Sequence, residues 1–362
     1  MIYLDYQATT PLAPEAREAM LKHMDGPDGT GFGNPHSSHR LGRQAAAAIE
    51  AAREHVAALF PSGGRVIFTG GATEALNLAI RGSAGRGGAV AFSAIEHSAV
   101  GDTAMAAGAH EILRVTKDGL CDAEQNLPRD DVRMIAVMQA NNEIGTRQPV
   151  EQWAARAQAM GALMLVDGVQ AYGKMPVANA DMIAISAHKF HGPKGVGALW
   201  LRDGVELSEQ QTGGGQEHGL RSGTLSPALI AGMGAAARLA AARMEEDAAH
   251  VDALWTRARD LFDDWTLNGS AAHRYRGNLN IRKQGLDVGR LMSEARQVMF
   301  SAGSACASGS GRPSRVLKAI GLTDAEAKSS IRLGFGRYTT IEQIDEAAKT
   351  IRAAAKEQEL WG

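Results

Sequence analysis

Residues 163–201 of this chain read LMLVDGVQAYGKMPVANADMIAISAHKFHGPKGVGALWL and contain three short, continuous apolar runs. Each run stops at a polar or glycine-rich turn, and runs of this length are typical of strands that are buried on both faces of a sheet. The predicted strands are 163–166, 182–185 and 196–201. Asp167 follows the first strand and Lys189 lies just beyond the second. Both residues therefore belong to the sheet edge at which α/β proteins bind ligands.

The same alternation of strands and helices extends towards the N-terminus. The predicted strands there are 66–68, 89–92, 111–115 and 133–139, and the predicted helices are 14–24, 38–60, 72–81, 97–107 and 150–160. Residues 25–37 are rich in Gly, Pro, Asn and Ser and are predicted to form a loop. Strands that alternate with helices predict an α/β fold whose mostly parallel sheet is covered on both faces.

The last third of the chain has a different pattern. Long helices are predicted over residues 226–264, and mixed short elements follow them. The predicted strands are 278–282, 297–301 and 331–335, and the predicted helices are 287–295, 313–320, 324–330 and 340–356. We predict a large domain of residues 13–245 and a smaller α+β domain of residues 1–12 and 246–362, which fits a chain of 362 residues.

Composition excludes several classes of protein. With 38 basic and 40 acidic side chains the net charge is -2, which gives no electrostatic reason to expect nucleic acid or a membrane as the main partner. The alanine-rich runs 45–58 and 228–242 contain charged residues or His, so neither is predicted to span a membrane. Two cysteines, Cys121 and Cys306, are too few for a disulfide framework, and a cytoplasmic location is expected.

Lys189 and Asp167 suggest a pyridoxal 5'-phosphate (PLP) site. PLP requires a lysine amine for its Schiff base, and a carboxylate that pairs with the pyridine nitrogen keeps the ring an electron sink. Residues 70–73, GGAT, follow a predicted strand and open a helix, where backbone N–H groups suit a phosphate. Each feature alone has an ordinary explanation: a surface lysine, a turn aspartate or a helix cap.

Further polar residues lie at the same edge of the predicted sheet. Ser186 and His188 would add donors to the phosphate, and the amide of Gln170 could bond the ring hydroxyl. His97 begins the helix after strand 89–92, where an imidazole could stack on the ring or move protons. A capping or core histidine is an equally good explanation of His97 by itself.

An ordered set of motifs along nearly the whole chain resembles the NifS/IscS-like cysteine desulfurases, within the class V group of fold-type I PLP enzymes. The motifs are YLDYQATTP, NPHSSHRLG, FTGGATEALNLAI, EHSAV, NNEIG, VDGVQAYGK, SAHKFHGPKGVGAL, GGGQEHGLRSGT, SAGSACASG and SSIRLGFGRYTT. The resemblance implies a fold-type I transferase with a large, mostly parallel seven-stranded sheet domain and a smaller α+β domain.

The resemblance also implies a role for individual residues. Lys189 would carry the cofactor, with His97 stacked on the ring and serving in proton transfer. The other implied cofactor contacts are Ala72, Thr73, Asn142, Asp167, Gln170, Ser186, His188 and Thr224. Thr224 would reach the phosphate of a neighbouring subunit, which implies a homodimer with shared sites. Arg332 and Asn142 would bind the substrate, Arg332 through its carboxylate.

The reaction implied is removal of sulfur from L-cysteine. Cys306 lies among small residues and glycines, so we expect an accessible thiol whose thiolate takes the sulfur and leaves L-alanine. No resident metal is predicted, and whether Cys306 transiently binds an iron–sulfur cluster stays open. Cys121 matches no motif of the family and is interpreted as structural.

The sulfur acceptor stays open. Gly311-Arg312 replaces the Leu-Glu that often precedes Pro-Ser in housekeeping members, and the chain ends soon after its last helix. A scaffold for iron–sulfur cluster assembly, a sulfur carrier and a thiolation enzyme all fit. Two alternatives to a desulfurase are another class V reaction (an aminotransferase or a selenocysteine lyase) and a non-enzymatic subunit, although the latter would usually lack Lys189.

Overall fold

The structure is a computed structural model that describes residues 1–303 and 314–361. Its strands are β1 (Ile2–Tyr3), β2 (Gly64–Thr69), β3 (Ala89–Ser93), β4 (His110–Leu113), β5 (Val132–Ala136), β6 (Leu163–Asp167), β7 (Met182–Ser186), β8 (Gly197–Arg202), β9 (Thr266–Leu267), β10 (Asn278–Arg282), β11 (Val298–Met299), β12 (Ser301–Ala302) and β13 (Ser330–Gly334). Its α-helices are α1 (Pro14–Leu21), α2 (Arg40–Ala57), α3 (Ala72–Gly82), α4 (Ser98–Ala106), α5 (Val150–Ala159), α6 (Pro227–Leu261), α7 (Val288–Glu294), α8 (Arg315–Ala319), α9 (Asp324–Lys328) and α10 (Ile341–Trp361).

The main sheet has seven strands in the order β2-β8-β7-β6-β5-β3-β4. Strand β8 is antiparallel to both of its neighbours, whereas every other pair from β7 to β4 is parallel. The prediction of a mostly parallel sheet in an α/β fold is therefore confirmed. Because β8 is reversed, β2 runs in the same direction as β7, and its carboxyl end reaches the same edge.

Alternate side chains of the buried strands pack on opposite faces of this sheet. In β6, Leu163 and Leu165 contact the core beneath α3 and α4, while Met164 and Val166 face the core formed with α1, α2, α5 and α6. The buried side chains of Trp153 and Trp200 lie in the second of these cores. Burial on both faces explains why the strands read as continuous apolar runs.

A separate core, which we call the terminal core, is built from residues near both ends of the chain. It joins Ile2 and Leu4 to Phe262, Leu279 and Phe335, among others. The associated sheets have the orders β12-β13-β10-β9 and β1-β11. The strand predicted over 297–301 is divided between these two sheets, and β9 was not predicted because a two-residue strand has no periodicity to detect.

Helix α6 connects the main-sheet core to the terminal core as one continuous element of 35 residues, whereas more than one long helix was expected over 226–264. Pro227 lies in its first turn and Ser226 caps it, and no later proline interrupts it. Ala236 belongs to the core below the main sheet, and Leu254 belongs to the terminal core. The predicted division at residue 245 therefore falls inside an unbroken helix, and it stays a prediction.

Cys121 is fully buried below the main sheet, where its carbonyl oxygen accepts a hydrogen bond from Trp153 Nε1 at 2.9 Å. Burial raises the pKa of its thiol to about 12. Both observations agree with a structural role. Among the described residues, no helix combines the length and apolarity needed to cross a bilayer.

Gly197 offers a test of the close packing at the carboxyl edge of the sheet. A Cβ at this position would lie 2.7 Å from Gly71 Cα and nearer still to the Ile185 carbonyl oxygen. We expect Gly197→Ala to lower the free energy of unfolding by roughly 1–3 kcal/mol, measured by urea denaturation. Gly85→Ala is the matched control, because nothing lies within 4 Å of its added Cβ. Equal losses in both variants would contradict the packing argument.

Candidate active site

A cavity of about 920 Å³ opens at the carboxyl edge of the main sheet. Strands β6 and β7 end there at Asp167 and Ser186, and the turn after β2 and the start of α4 meet them. The predicted site residues that line it are Ala72, Thr73, His97, Asn142, Asp167, Gln170, Ser186, His188, Lys189 and Arg332. The structure thus brings together residues from distant parts of the chain, while their individual roles stay predictions.

Lys189 lies in a short 3-10 turn directly after β7. Its Nζ donates to two backbone carbonyl oxygens of the N-terminal segment, that of Gln7 at 2.6 Å and that of Ala8 at 2.9 Å. The segment therefore positions the lysine amine at the cavity. Neither contact was predicted, although the segment belongs to the motif YLDYQATTP.

The turn between β2 and α3 has a close contact with the end of β7. Gly71 adopts a φ of +155°, and a Cβ there would approach Ser186 Oγ to 3.3 Å. Ser186 Oγ accepts a hydrogen bond from the Ala72 backbone N–H at 3.2 Å, which links the start of α3 to the end of β7. Backbone N–H groups at the start of this 11-residue helix carry partial positive charge and suit a phosphate.

Asp167 is a buried carboxylate at the end of β6, with 6% of its surface exposed. Its Oδ1 accepts from the Val169 N–H at 3.0 Å. Burial raises its pKa, and the neighbouring His97, the Val169 N–H and the Lys189 ammonium oppose that rise. A cation beside this carboxylate would hold it ionised, as pairing with a protonated pyridine nitrogen requires.

His97 is the N-cap of α4, and its Nδ1 accepts a hydrogen bond from the Ala99 N–H at 3.1 Å. The capping explanation of this residue is therefore correct, and the ring also lines the cavity. Because Nδ1 acts as an acceptor, the neutral imidazole carries its proton on Nε2. Capping and proton donation are compatible in this arrangement.

Arg332 lies at the centre of β13 with 1% of its surface exposed. One terminal nitrogen donates to Asp5 Oδ1 at 2.7 Å, and the other donates to the Asn142 carbonyl oxygen at 3.0 Å. Within the described residues, its Nε has no hydrogen-bond partner. A guanidinium that is held on two sides and lines the cavity can bind a carboxylate there.

Two predicted residues are not part of this arrangement. Thr224 is exposed and does not line the cavity of its own chain. Cys306 lies outside the described residues. Three neighbours of the site were missed: Gln7, which accepts from Lys189, Asp5, which pairs with Arg332, and Lys174, which contacts Gln170. Only the N-terminal motif could have drawn attention to the first two.

Known proteins identify the family. The class V aminotransferase model matches residues 2–347. A protein named cysteine desulfurase IscS, from Colwellia psychrerythraea, is 41% identical over 375 residues, which cover 98% of this chain and 92% of that protein. The chain belongs to the cysteine desulfurase family of class V aminotransferases. The resemblance noted in the motifs is thereby confirmed.

Solved structures of relatives agree with the fold of this cysteine desulfurase family member. A NifS-like protein has a TM-score of 0.89 at 29% identity, covering 98% of this chain and 99% of that one. The structure described as SspA in complex with cysteine has a TM-score of 0.80 at 33% identity, covering 94% and 100%. The predicted fold-type I architecture is confirmed.

PLP is the cofactor of this family, and the cavity fits it. Lys189 supplies the amine, Asp167 a buried carboxylate, and the Gly71 turn an opening that a Cβ would narrow. Gln7 also lines the cavity, where its backbone carbonyl oxygen accepts from the Lys189 amine. These groups match the aldehyde, the pyridine nitrogen and the phosphate of PLP in chemical type.

Two histidines near the site resist protonation. Burial, followed by the charges of Lys189 and Lys194, lowers the pKa of His188 to about 4. Burial and the charge of Arg337 lower the pKa of His191 to about 4 as well. As the pH falls from 6.5 to 4, the unfolded chain takes up protons that the folded chain does not bind, so these histidines reduce stability in that window.

Removing His191 should therefore change the pH dependence of stability. His191→Asn keeps a residue that tolerates the φ of +70° found there. When the pH is lowered from about 7 to about 5, the free energy of unfolding of the variant should rise by roughly 2 kcal/mol relative to that of the native protein. Urea denaturation at the two pH values measures this. The exposed His36, changed to Asn, is the control, and an identical trend in both variants would refute the assignment.

Proposed function

We propose that this protein is a cysteine desulfurase that removes sulfur from L-cysteine, giving L-alanine and a persulfide on Cys306. The observation that carries the proposal is the meeting of Lys189, Asp167 and the buried Arg332 at one cavity. The family to which the chain belongs supports it. The roles given below to single residues are parts of the same proposal.

Arg332 binds the carboxylate of the substrate and thereby selects an amino acid. Its guanidinium is fixed by Asp5 and Asn142, so little side-chain entropy is lost when the substrate binds. Because Arg332 lines the cavity, its guanidinium can offer an N–H to a carboxylate oxygen that enters there.

Bound PLP supplies an electron sink that acidifies the substrate α-carbon and weakens the substrate bond to sulfur. Lys189 would hold the cofactor, and Asp167 would keep its pyridine nitrogen protonated. His97 would lie against the ring and present an Nε2–H, from which a proton could reach the carbon that sulfur leaves. The phosphate would be bound by Ala72, Thr73, Ser186 and His188, and the ring hydroxyl by Gln170.

Cys306 is the sulfur acceptor in the first half of the reaction. Its thiolate attacks the substrate sulfur, so that a sulfur–sulfur bond forms while the substrate Cβ–S bond breaks. The electron pair of the broken bond stays with the carbon, which gains a proton and becomes the methyl group of alanine. A thiol reductant then releases the outer sulfur as sulfide.

The decisive measurement is the production of alanine and sulfide from L-cysteine with a thiol reductant. The native protein should form the two products in equal amounts, and Cys306→Ala should lose sulfide release by at least about 100-fold, because the nucleophile is missing. Cys121→Ala is the matched control. An aminotransferase would be indifferent to Cys306, so activity that survives in Cys306→Ala, or no sulfide from the PLP-loaded native protein, would overturn the proposal.

The partners and location are further parts of the proposal. A homodimer is supported by Thr224, which is exposed in its own chain and belongs to the motif GGGQEHGLRSGT. The final acceptor, which takes the sulfur from Cys306, is a protein for iron–sulfur cluster assembly or thiolation. A cytoplasmic location is supported by chemistry that needs a reduced thiol at Cys306.

Mixed dimers test whether the sites are shared. Lys189→Ala removes the cofactor amine, and Thr224→Asp places a carboxylate where the partner's phosphate is expected, so each variant alone should be inactive. Co-expression should restore about one quarter of the native rate, because half of the dimers are mixed and each has one intact site. Failure to restore activity in dimers purified with two different tags would argue against shared sites.

A further inference from the structure

Lys174 lies in the turn after β6, four residues beyond Gln170. Its Nζ donates to Gln170 Oε1 at 3.0 Å. Gln170 is 3% exposed and lines the cofactor cavity, whereas Lys174 lines a second cavity of about 320 Å³. We propose that Lys174 is a positioning residue: its ammonium orients the Gln170 amide so that Gln170 offers an N–H to the ring oxygen of PLP. The inference rests on the function proposed above.

The donor character of an ammonium decides the orientation of the amide. Below its pKa of about 7, Lys174 has three donor hydrogens and no acceptor, so the Gln170 atom that faces it is the carbonyl oxygen. The Gln170 Nε2 then donates to the Gln7 carbonyl oxygen at 3.1 Å and keeps a second hydrogen. A deprotonated ring oxygen accepts that hydrogen and would be repelled by the amide oxygen. Lys174 thereby makes Gln170 a donor.

Stability does not account for a lysine at this position. Within the described residues Lys174 forms no ion pair, and apart from Gln170 Oε1 its charge is compensated by the Tyr275 ring, whose centroid lies 5.3 Å from Nζ. The charged residues that share its cavity are Arg147, Arg274, Arg276, Arg337, Asp247 and Asp252, a set with more cations than anions. An apolar side chain of similar length would avoid the cost of burying the charge.

Burial, followed by the charge of Lys189, lowers the pKa of Lys174 to about 7 from 10.5. The full cost of burying its charge is therefore present below pH 7, where the folded and unfolded states are both protonated. The cost is relieved as the pH rises from 7 to 10.5, since only the unfolded state then keeps the proton. A lysine kept under these conditions is explained by its action on Gln170.

The test compares Lys174→Met, Gln170→Leu and the double variant, all loaded with PLP, by the visible absorbance of the bound cofactor as a function of pH. The absorbance reports the protonation of the nitrogen that joins Lys189 to PLP. In Lys174→Met the fixed donor is lost, and below about pH 7 a nearby positive charge is lost as well; each loss favours the protonated form. We expect the midpoint to rise by about one pH unit.

The double variant separates positioning from direct electrostatics. If Lys174 acts through Gln170, adding Lys174→Met to Gln170→Leu should move the midpoint by less than half of its shift in the native background. An equal shift in both backgrounds, or no shift in either, would overturn the inference. The exposed Lys117, changed to Met, is the control and should leave the midpoint in place.

A measurement without cofactor guards against misfolding. PLP-free Lys174→Met should be more stable to urea than the native protein below pH 7, and its advantage should shrink as the pH approaches 10.5. A variant that is less stable at every pH would contradict the burial argument. Native protein that binds PLP without releasing sulfide would contradict the desulfurase proposal alone. Native protein that fails to bind PLP would contradict both that proposal and the inference about Lys174.

Discussion

The close approach of two glycines, Gly71 and Gly197, is the constraint on which the site depends. Gly197 begins β8 and pairs with Thr69 of β2 on one side and with Ser186 of β7 on the other. Without a Cβ at either glycine, the turn before α3 can settle against the sheet edge, and Ser186 Oγ can reach the Ala72 N–H. The turn before α3, where we propose that phosphate binds, and the turn that carries Lys189 are therefore joined by one contact.

The polar contacts around the cavity join distant parts of the chain. Asp5 from the N-terminal segment holds Arg332 of β13, and the carbonyl oxygens of Gln7 and Ala8 accept from Lys189 after β7. The N-terminal segment therefore contacts both Lys189, the amine proposed to hold the cofactor, and Arg332, the cation proposed to bind the substrate. This explains why residues that begin the chain share a core with residues near its end.

Much of the site was predictable from local pattern. Asp167, Ser186 and Lys189 each follow an apolar run, and parallel strands bring their carboxyl ends to one edge, so their proximity follows from strand direction. His97 and the GGAT turn were predictable as helix starts. Gln7 and Asp5 were not assigned roles, because their partners lie about 180 and 330 positions away in the chain and only packing brings them together.

The sequence by itself determined most of the strands and helices and the candidate chemistry, because these depend on side-chain periodicity and on residue types at strand ends, and its ordered motifs indicated the family. The tertiary structure decided that 226–264 is one helix through both cores, that Arg332 is held by Asp5, and that Lys174 contacts Gln170. Those features depend on which surfaces meet after folding, and burial then sets their electrostatic consequences. A sequence pattern carries the period of an element but not the identity of its distant neighbours.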